Sequence, residues 1–145
     1  MNAKEMWELY SENSGPGGEV YDEWAFGSDA DKLADLVCKG IKTATSSAYA
    51  LYEIEGESLP GVGEYSVILD SKGDAKCVIK TTKVYVAPFD MISETHAYKE
   101  GEGDKSLDYW REVHRDFFTS SLAEAGLAFT EQMDVVCEEF EVVYK

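Results

Sequence analysis

Residues 75–86 read Ala-Lys-Cys-Val-Ile-Lys-Thr-Thr-Lys-Val-Tyr-Val, a β-branched and aromatic run with no helical spacing, closed by Pro88. Such a run is a long strand, and the proline marks where its ladder stops. Before it, Asp70-Ser71-Lys72-Gly73-Asp74 has the composition of a hairpin turn, which joins it to a strand over 64–69. Near the end of the chain Val136, Phe140, Val142 and Tyr144 alternate along a last strand, with Glu138 interrupting the apolar face. The chain must therefore build a sheet, and helices must cover it. Helical spacing places them at Met6, Trp7 and Tyr10, over 29–39, over 46–53, over 93–99 and over 106–125. A loop over 13–18 follows the first. Strands and helices mix without a βαβ rhythm, so the fold class is α+β, and 145 residues make one domain, 1–145.

The helix over 29–39 has a legible start and stop. Ser28-Asp29-Ala30-Asp31 has the form of a capping box, Ala30, Leu33, Ala34 and Val37 recur at helical spacing, and Gly40 is a left-handed C-terminal cap. The chain then leaves the helix through Gly40-Ile41-Lys42-Thr43-Ala44-Thr45. Lys42 and Thr45 can form a base and a nucleophile, on the condition that burial or a second cation depresses the lysine pKa.

Charge narrows the partners. Thirteen Lys and Arg stand against 29 Asp and Glu, a net charge of −16, and the basic residues never form a run of three. A chain that grips a nucleic-acid backbone carries a basic stripe; this one repels polyanions. Binding to long RNA is expected to be weak, and a small nucleoside-like ligand or a short RNA fits better. Hydrophobic residues at 44% fit a folded domain, and no apolar run reaches the roughly 20 residues of a membrane span. The charged start, Met1 to Trp7, does not read as a signal peptide. Cys38, Cys77 and Cys137 are scattered and odd in number, as free thiols in a reducing cytoplasm would be.

Several segments together resemble one family. Gly40-Ile41-Lys42-Thr43-Ala44-Thr45 is similar to the signature of the ASCH domains, relatives of the PUA RNA-binding domains. Trp24-Ala25-Phe26-Gly27, Leu59-Pro60-Gly61-Val62-Gly63-Glu64-Tyr65, Pro88-Phe89-Asp90, residues 100–111 and Phe140-Glu141-Val142-Val143-Tyr144 extend the likeness to a bacterial subgroup. The resemblance implies a PUA-like mixed β-barrel decorated with helices. It also implies a site. Glu94-Thr95-His96-Ala97-Tyr98-Lys99-Glu100 is similar to a segment of a small ASCH amidohydrolase that deacetylates N4-acetylcytidine, whose lysine, threonine and downstream glutamate match Lys42, Thr45 and Glu100. On that likeness Lys42 is a base, Thr45 a nucleophile and Glu100 a protonated acid for the leaving amine. A salt bridge between Lys42 and Glu100 is the plainer alternative. The family also suggests an RNA-binding module with a role in RNA processing, translation or transcription coactivation, or a ribonuclease.

Other residues offer less. Glu100, Glu102 and Asp104 alternate as calcium ligands do, but the rest of that loop pattern is missing, so no metal and no cofactor is expected, and Asp104 or Ser106 caps the next helix instead. His96 and His114 lie on helices, where a satisfied or surface histidine is the default. Trp24, Phe26 and Trp110 have faces that stack on a nucleobase, although most such aromatics are core and one of the three is expected to touch ligand. Arg111 can hold a carbonyl or a phosphate.

Overall fold

The structure, a computed structural model, describes residues 1–13, 15 and 20–145, so the loop expected over 13–18 lies largely outside the described residues. Among the described residues five strands form one sheet: β1 Asp22–Ala25, β2 Ala44–Ala48, β3 Tyr65–Leu69, β4 Ala75–Pro88 and β5 Asp134–Tyr144. Their order is β1-β3-β4-β5-β2, with β1 parallel to β3 and the other pairs antiparallel. The sheet curls into a half-barrel, and the fold is mixed α+β. Among the described residues five α-helices cover it: α1 Ala3–Asn13, α2 Ala30–Cys38, α3 Tyr49–Glu55, α4 Glu94–Glu100 and α5 Leu107–Glu124. Among the described residues no helix is long and apolar enough to cross a membrane.

The core divides by face. α1 lays Met6, Trp7 and Tyr10 on Val67 and Val78, with Trp7 stacked on Tyr21 at 4.9 Å. α2 lays Ala34 and Val37 on Ile68, Cys77, Ile79 and Phe140. α4 and α5 close the other side with Ala97, Trp110, Phe118 and Leu122 against Val135 and Cys137. Val67, Ile68, Val78 and Ile79 are wholly buried, and each such side chain contributes about 1.5–3 kcal/mol of transfer free energy. Cys38, Cys77 and Cys137 are free thiols.

Three local expectations are corrected. Ser28 and Asp31 do not form a capping box: Asp29 occupies the cap with a left-handed backbone (φ 50°) and no side-chain cap bond. The Asp31 carboxylate is drawn instead to the turn before β4, accepting from the Ser71 amide at 2.8 Å and its hydroxyl at 3.0 Å. The segment over 46–53 is half strand, because Ala44–Ala48 pairs with Val135–Glu139 before the chain turns into α3. Trp24, expected merely to precede a helix, lies in β1 opposite Ile68.

Candidate functional site

The α2 exit is bolted in place by backbone. Gly40 takes φ 74°, and the amides of Ile41 and Lys42 both reach the Leu36 carbonyl at 3.0 and 3.1 Å. The Thr43 amide then donates to the Lys99 carbonyl at 2.7 Å, and its carbonyl accepts from the Phe140 amide at 3.0 Å. Those bonds fix the exit to α4 on one side and β5 on the other. Lys42, between them, points inward and is 1% exposed.

Its ammonium lies 3.0 Å from Glu100 Oε1 and 2.8 Å from Glu102 Oε2, with a longer contact of 3.5 Å to the Glu100 carbonyl. The Phe26 ring sits beneath it, 5.4 Å to the centroid. Glu100, at the end of α4, is equally buried and serves as a hub. Its Oε2 accepts the Ser46 hydroxyl at 2.6 Å, the Trp110 indole N–H and His96 Nε2 at 3.0 Å. Among the described residues Nδ1 of His96 has no partner, and Nε2 faces both Glu100 Oε2 and the Ser46 oxygen (2.7 Å), so the tautomer protonated at Nε2 satisfies the group best. His114 approaches Glu100 Oε1 at 3.5 Å, stacks on Trp110 at 4.3 Å and donates from Nδ1 to the Trp110 carbonyl at 2.9 Å.

Electrostatics follow from this crowding. Burial alone would push the Glu100 carboxyl up, but Lys42, then His114, and the surrounding donors hold it well below the usual carboxylate range. Burial alone would likewise lower Lys42, but Glu100 and Glu102 outweigh it and raise the ammonium above the ordinary lysine value. His114 is raised in the same way: burial opposes its cation, and Glu100 overrides the burial. Lys42 is thus a cation without a spare lone pair, and Glu100 an anion without a proton. This differs from a depressed lysine base and a protonated glutamate, because a second carboxylate, Glu102, joins the pair.

Glu100, Glu102 and His114 bring ligand atoms within 4.8 Å of one another, an arrangement that suits a metal ion. The Lys42 Nζ already lies against both carboxylates and supplies the positive charge there. Asp104 takes no part; its Oδ1 accepts from the Ser106 amide at 2.9 Å, and Ser106 caps α5 through the Tyr109 amide.

A cleft of about 790 Å³ opens onto this cluster, and Lys42, Thr45 and Glu100 all line it. Trp24 and Phe26, in edge contact at 5.0 Å, line it too. Trp110 and Arg111 do not. Trp110 is 2% exposed and spends its ring on His114 and Phe89, so it offers no face for stacking. Arg111 borders a separate groove with Tyr98 and Lys105, because consecutive helical residues point about 100° apart.

Sequence reasoning missed several members of the site. Ser46 was hidden in an expected helix. Glu102 was weighed only as one of three alternating loop carboxylates and not as a partner of Lys42, and His114 as a default histidine, although it lies four residues after Trp110. Also on the cleft, Glu138 accepts the Thr81 hydroxyl at 2.7 Å, and Ser47 is hydrogen-bonded to the Tyr52 hydroxyl at 2.8 Å. The signal for Glu138 was its place in an otherwise apolar strand.

The family model for the ASCH domain matches residues 22–144. The chain is similar to the ASCH domain from Lactobacillus crispatus JV V101, with 35% identity, a TM-score of 0.92, and 98% of this chain and 94% of that one covered. It is similar to protein EF3133 from Enterococcus faecalis V583, with 37% identity, a TM-score of 0.91, and 99% and 88% covered. An ASCH protein from Zymomonas mobilis, solved as a mutant, shares the fold at 10% identity and a TM-score of 0.51, over 84% and 68% of the two chains. No curated protein matches the chain.

Proposed function

The chain belongs to the ASCH-domain family, and we propose that its cleft hydrolyses a small amide carried by a nucleoside-type ligand, of the N4-acylated cytidine class. The observation that carries this reading is the meeting of Lys42, Thr45 and Glu100 on one cleft that also presents Trp24 and Phe26. The aromatic pair suits the face of a base, and the polar cluster lies deeper. Among the described residues the Thr45 hydroxyl has no side-chain partner within the chain, so it is available to a ligand. In this reading Thr45 attacks the acyl carbon. Lys42 acts as the cation: the N–H that now makes only the 3.5 Å contact to the Glu100 carbonyl turns toward the oxyanion that develops. Glu100 keeps that cation charged and in place.

Charge supports a ligand without phosphate. Among the described residues seven carboxylates border the cleft, those of Asp22, Glu23, Glu57, Glu64, Glu100, Glu102 and Glu138, against one lysine. RNA binding and RNA cleavage both ask such a lining to accept a polyanion, at an electrostatic cost that a neutral nucleoside avoids.

The test is chromatography of nucleoside products after incubation with N4-acetylcytidine. Thr45→Ala should lower turnover by orders of magnitude while unfolding free energy moves by no more than about 1–2 kcal/mol. Thr45→Ser should retain part of the activity. If the wild type deacylates neither this nucleoside nor a simple amide, the reading fails.

A further inference from the structure

The amide-hydrolysis reading leaves one step without an agent: something must take the Thr45 proton. Lys42 cannot, being an ammonium between two carboxylates, and Glu100 cannot, having its oxygens committed to Lys42, Ser46, His96 and Trp110. Ser46 is a poorer nucleophile: its proton faces Glu100 Oε2 at 2.6 Å, a carboxylate held well below the usual range and so a weak base, and its oxygen already lies 2.7 Å from His96 Nε2.

We propose that Glu138 is the catalytic base for Thr45 and the acid for the leaving amine. Thr45 and Glu138 are direct partners in the antiparallel β2·β5 ladder. Directly opposed residues leave the same face of a sheet, with Cβ atoms about 4.5–5.5 Å apart. Both side chains border the cleft. Glu138 is 9% exposed, and its Oε2 is anchored by the Thr81 hydroxyl at 2.7 Å, while Oε1 has no partner within the chain among the described residues. One fixed oxygen, one free oxygen and an unpartnered hydroxyl on the neighbouring strand make a base–nucleophile pair.

The groups around it tune its basicity. Asp22 of β1 and Glu64 ahead of β3 are like charges, Tyr52 of α3 is a phenol, and Thr81 of β4 is the hydroxyl that donates. Burial, then Glu64 and Asp22, push the Glu138 carboxyl up, against the Thr81 hydrogen bond. A carboxylate made more basic is a better proton acceptor near neutrality.

The steps balance without a further reactant beyond water. The Thr45 oxygen bonds to the acyl carbon as its proton passes to Glu138. The C–N bond then breaks, the proton moves from Glu138 to the amine nitrogen, and an ester remains on Thr45. Water attacks that ester and gives a proton to Glu138; the C–O bond to Thr45 breaks, Thr45 regains the proton and the carboxylic acid leaves.

This proposal rests on the amide-hydrolysis reading, and its test separates the two. For wild-type enzyme with N4-acetylcytidine, kcat/KM should rise through a limb above the ordinary glutamate value of about 4.3 and then stay flat past neutrality. A rate that keeps rising toward and beyond the lysine value of about 10.4 would make Lys42 the base and overturn the proposal. Glu138→Gln should lower kcat by about 10²-fold or more with little change in KM, the range a positioned base supplies. Thr81→Val, which removes the hydrogen bond that favours the ionised form, should move the acid limb to higher pH. Glu138→Gln within about threefold of wild-type kcat, a small fraction of what a base supplies, sinks the proposal but leaves the hydrolase intact. Absence of any wild-type deacylation sinks both.

Discussion

Replacing Lys42 by methionine tests the electrostatic centre of the fold. Methionine is similar in length and carries no charge, so the main loss is the ammonium that faces Glu100 and Glu102. Glu100 is 1% exposed, and without its cation it becomes a buried carboxylate beside a second one. Removing one partner of a buried ion pair costs about 3–5 kcal/mol. Glu100 keeps Ser46, His96 and Trp110 as donors, which places the loss at the low end, about 3 kcal/mol, or about 10 °C in Tm for a chain of this length. Lys42→Met combined with Glu100→Gln removes the stranded charge and should recover at least half of that, as coupled partners do in a double-mutant cycle.

The pH dependence follows from the signs. In the wild type the folded Glu100 carboxyl lies below its unfolded value, so its contribution is present above the unfolded pKa and is lost as pH falls through the folded one. The folded Lys42 ammonium lies above its unfolded value, so its contribution is present below the unfolded pKa and is lost only as pH rises through the folded one, in strongly alkaline solution. In Lys42→Met burial is opposed only by His114 and the remaining donors, so the Glu100 carboxyl lies higher than in the wild type and the variant loses less stability on acidification. Urea unfolding at pH 7 and pH 5 should therefore show the gap between wild type and variant shrinking at the lower pH. A gap at pH 7 under about 1 kcal/mol, or one that widens on acidification, refutes the reasoning.

Gly101 has φ 71°, and a Cβ there would lie 2.3 Å from the Ile41 carbonyl oxygen, whereas Gly40 has φ 74° and open space around it. Gly40→Ala should cost about 1–2 kcal/mol for the left-handed backbone, and Gly101→Ala about 3 kcal/mol or more, because the clash is with backbone; equal losses in urea unfolding would count against the α4–exit contact. His114 should titrate by NMR above the ordinary histidine value of about 6.5. Its contribution is complete below the unfolded pKa and is lost as pH rises through the folded one, so His114→Gln should lose more stability relative to wild type at pH 6 than at pH 9, and the reverse order would be decisive against the Glu100 contact.

What the sequence reveals and what it hides both have physical causes. β4, α4 and α5 are legible because each carries its own local signal: a long β-branched run, and serine caps at Ser93 and Ser106 that the structure uses. β1 and β2 are short edge strands whose only reason to be extended is the neighbour they pair with, so nothing local marks them. The site divides in the same way. That Lys42, Thr45 and Glu100 come together was carried by resemblance rather than by spacing. Their protonation was not legible, because it depends on Glu102 and His114 arriving from beyond α4. Helix geometry could have sorted the aromatic and basic candidates, since Trp110 and His114 are four residues apart and share a face that Arg111 cannot. Glu138 is the sharper lesson. A charged residue in an apolar strand looks like an interruption of the core, yet it faces Thr45 because β-pairing sets strand against strand, and no window along the chain contains both. A buried carboxylate with one oxygen tied down and one left free costs stability that a valine would not, so its place beside an unpartnered hydroxyl is better explained by proton transfer than by packing.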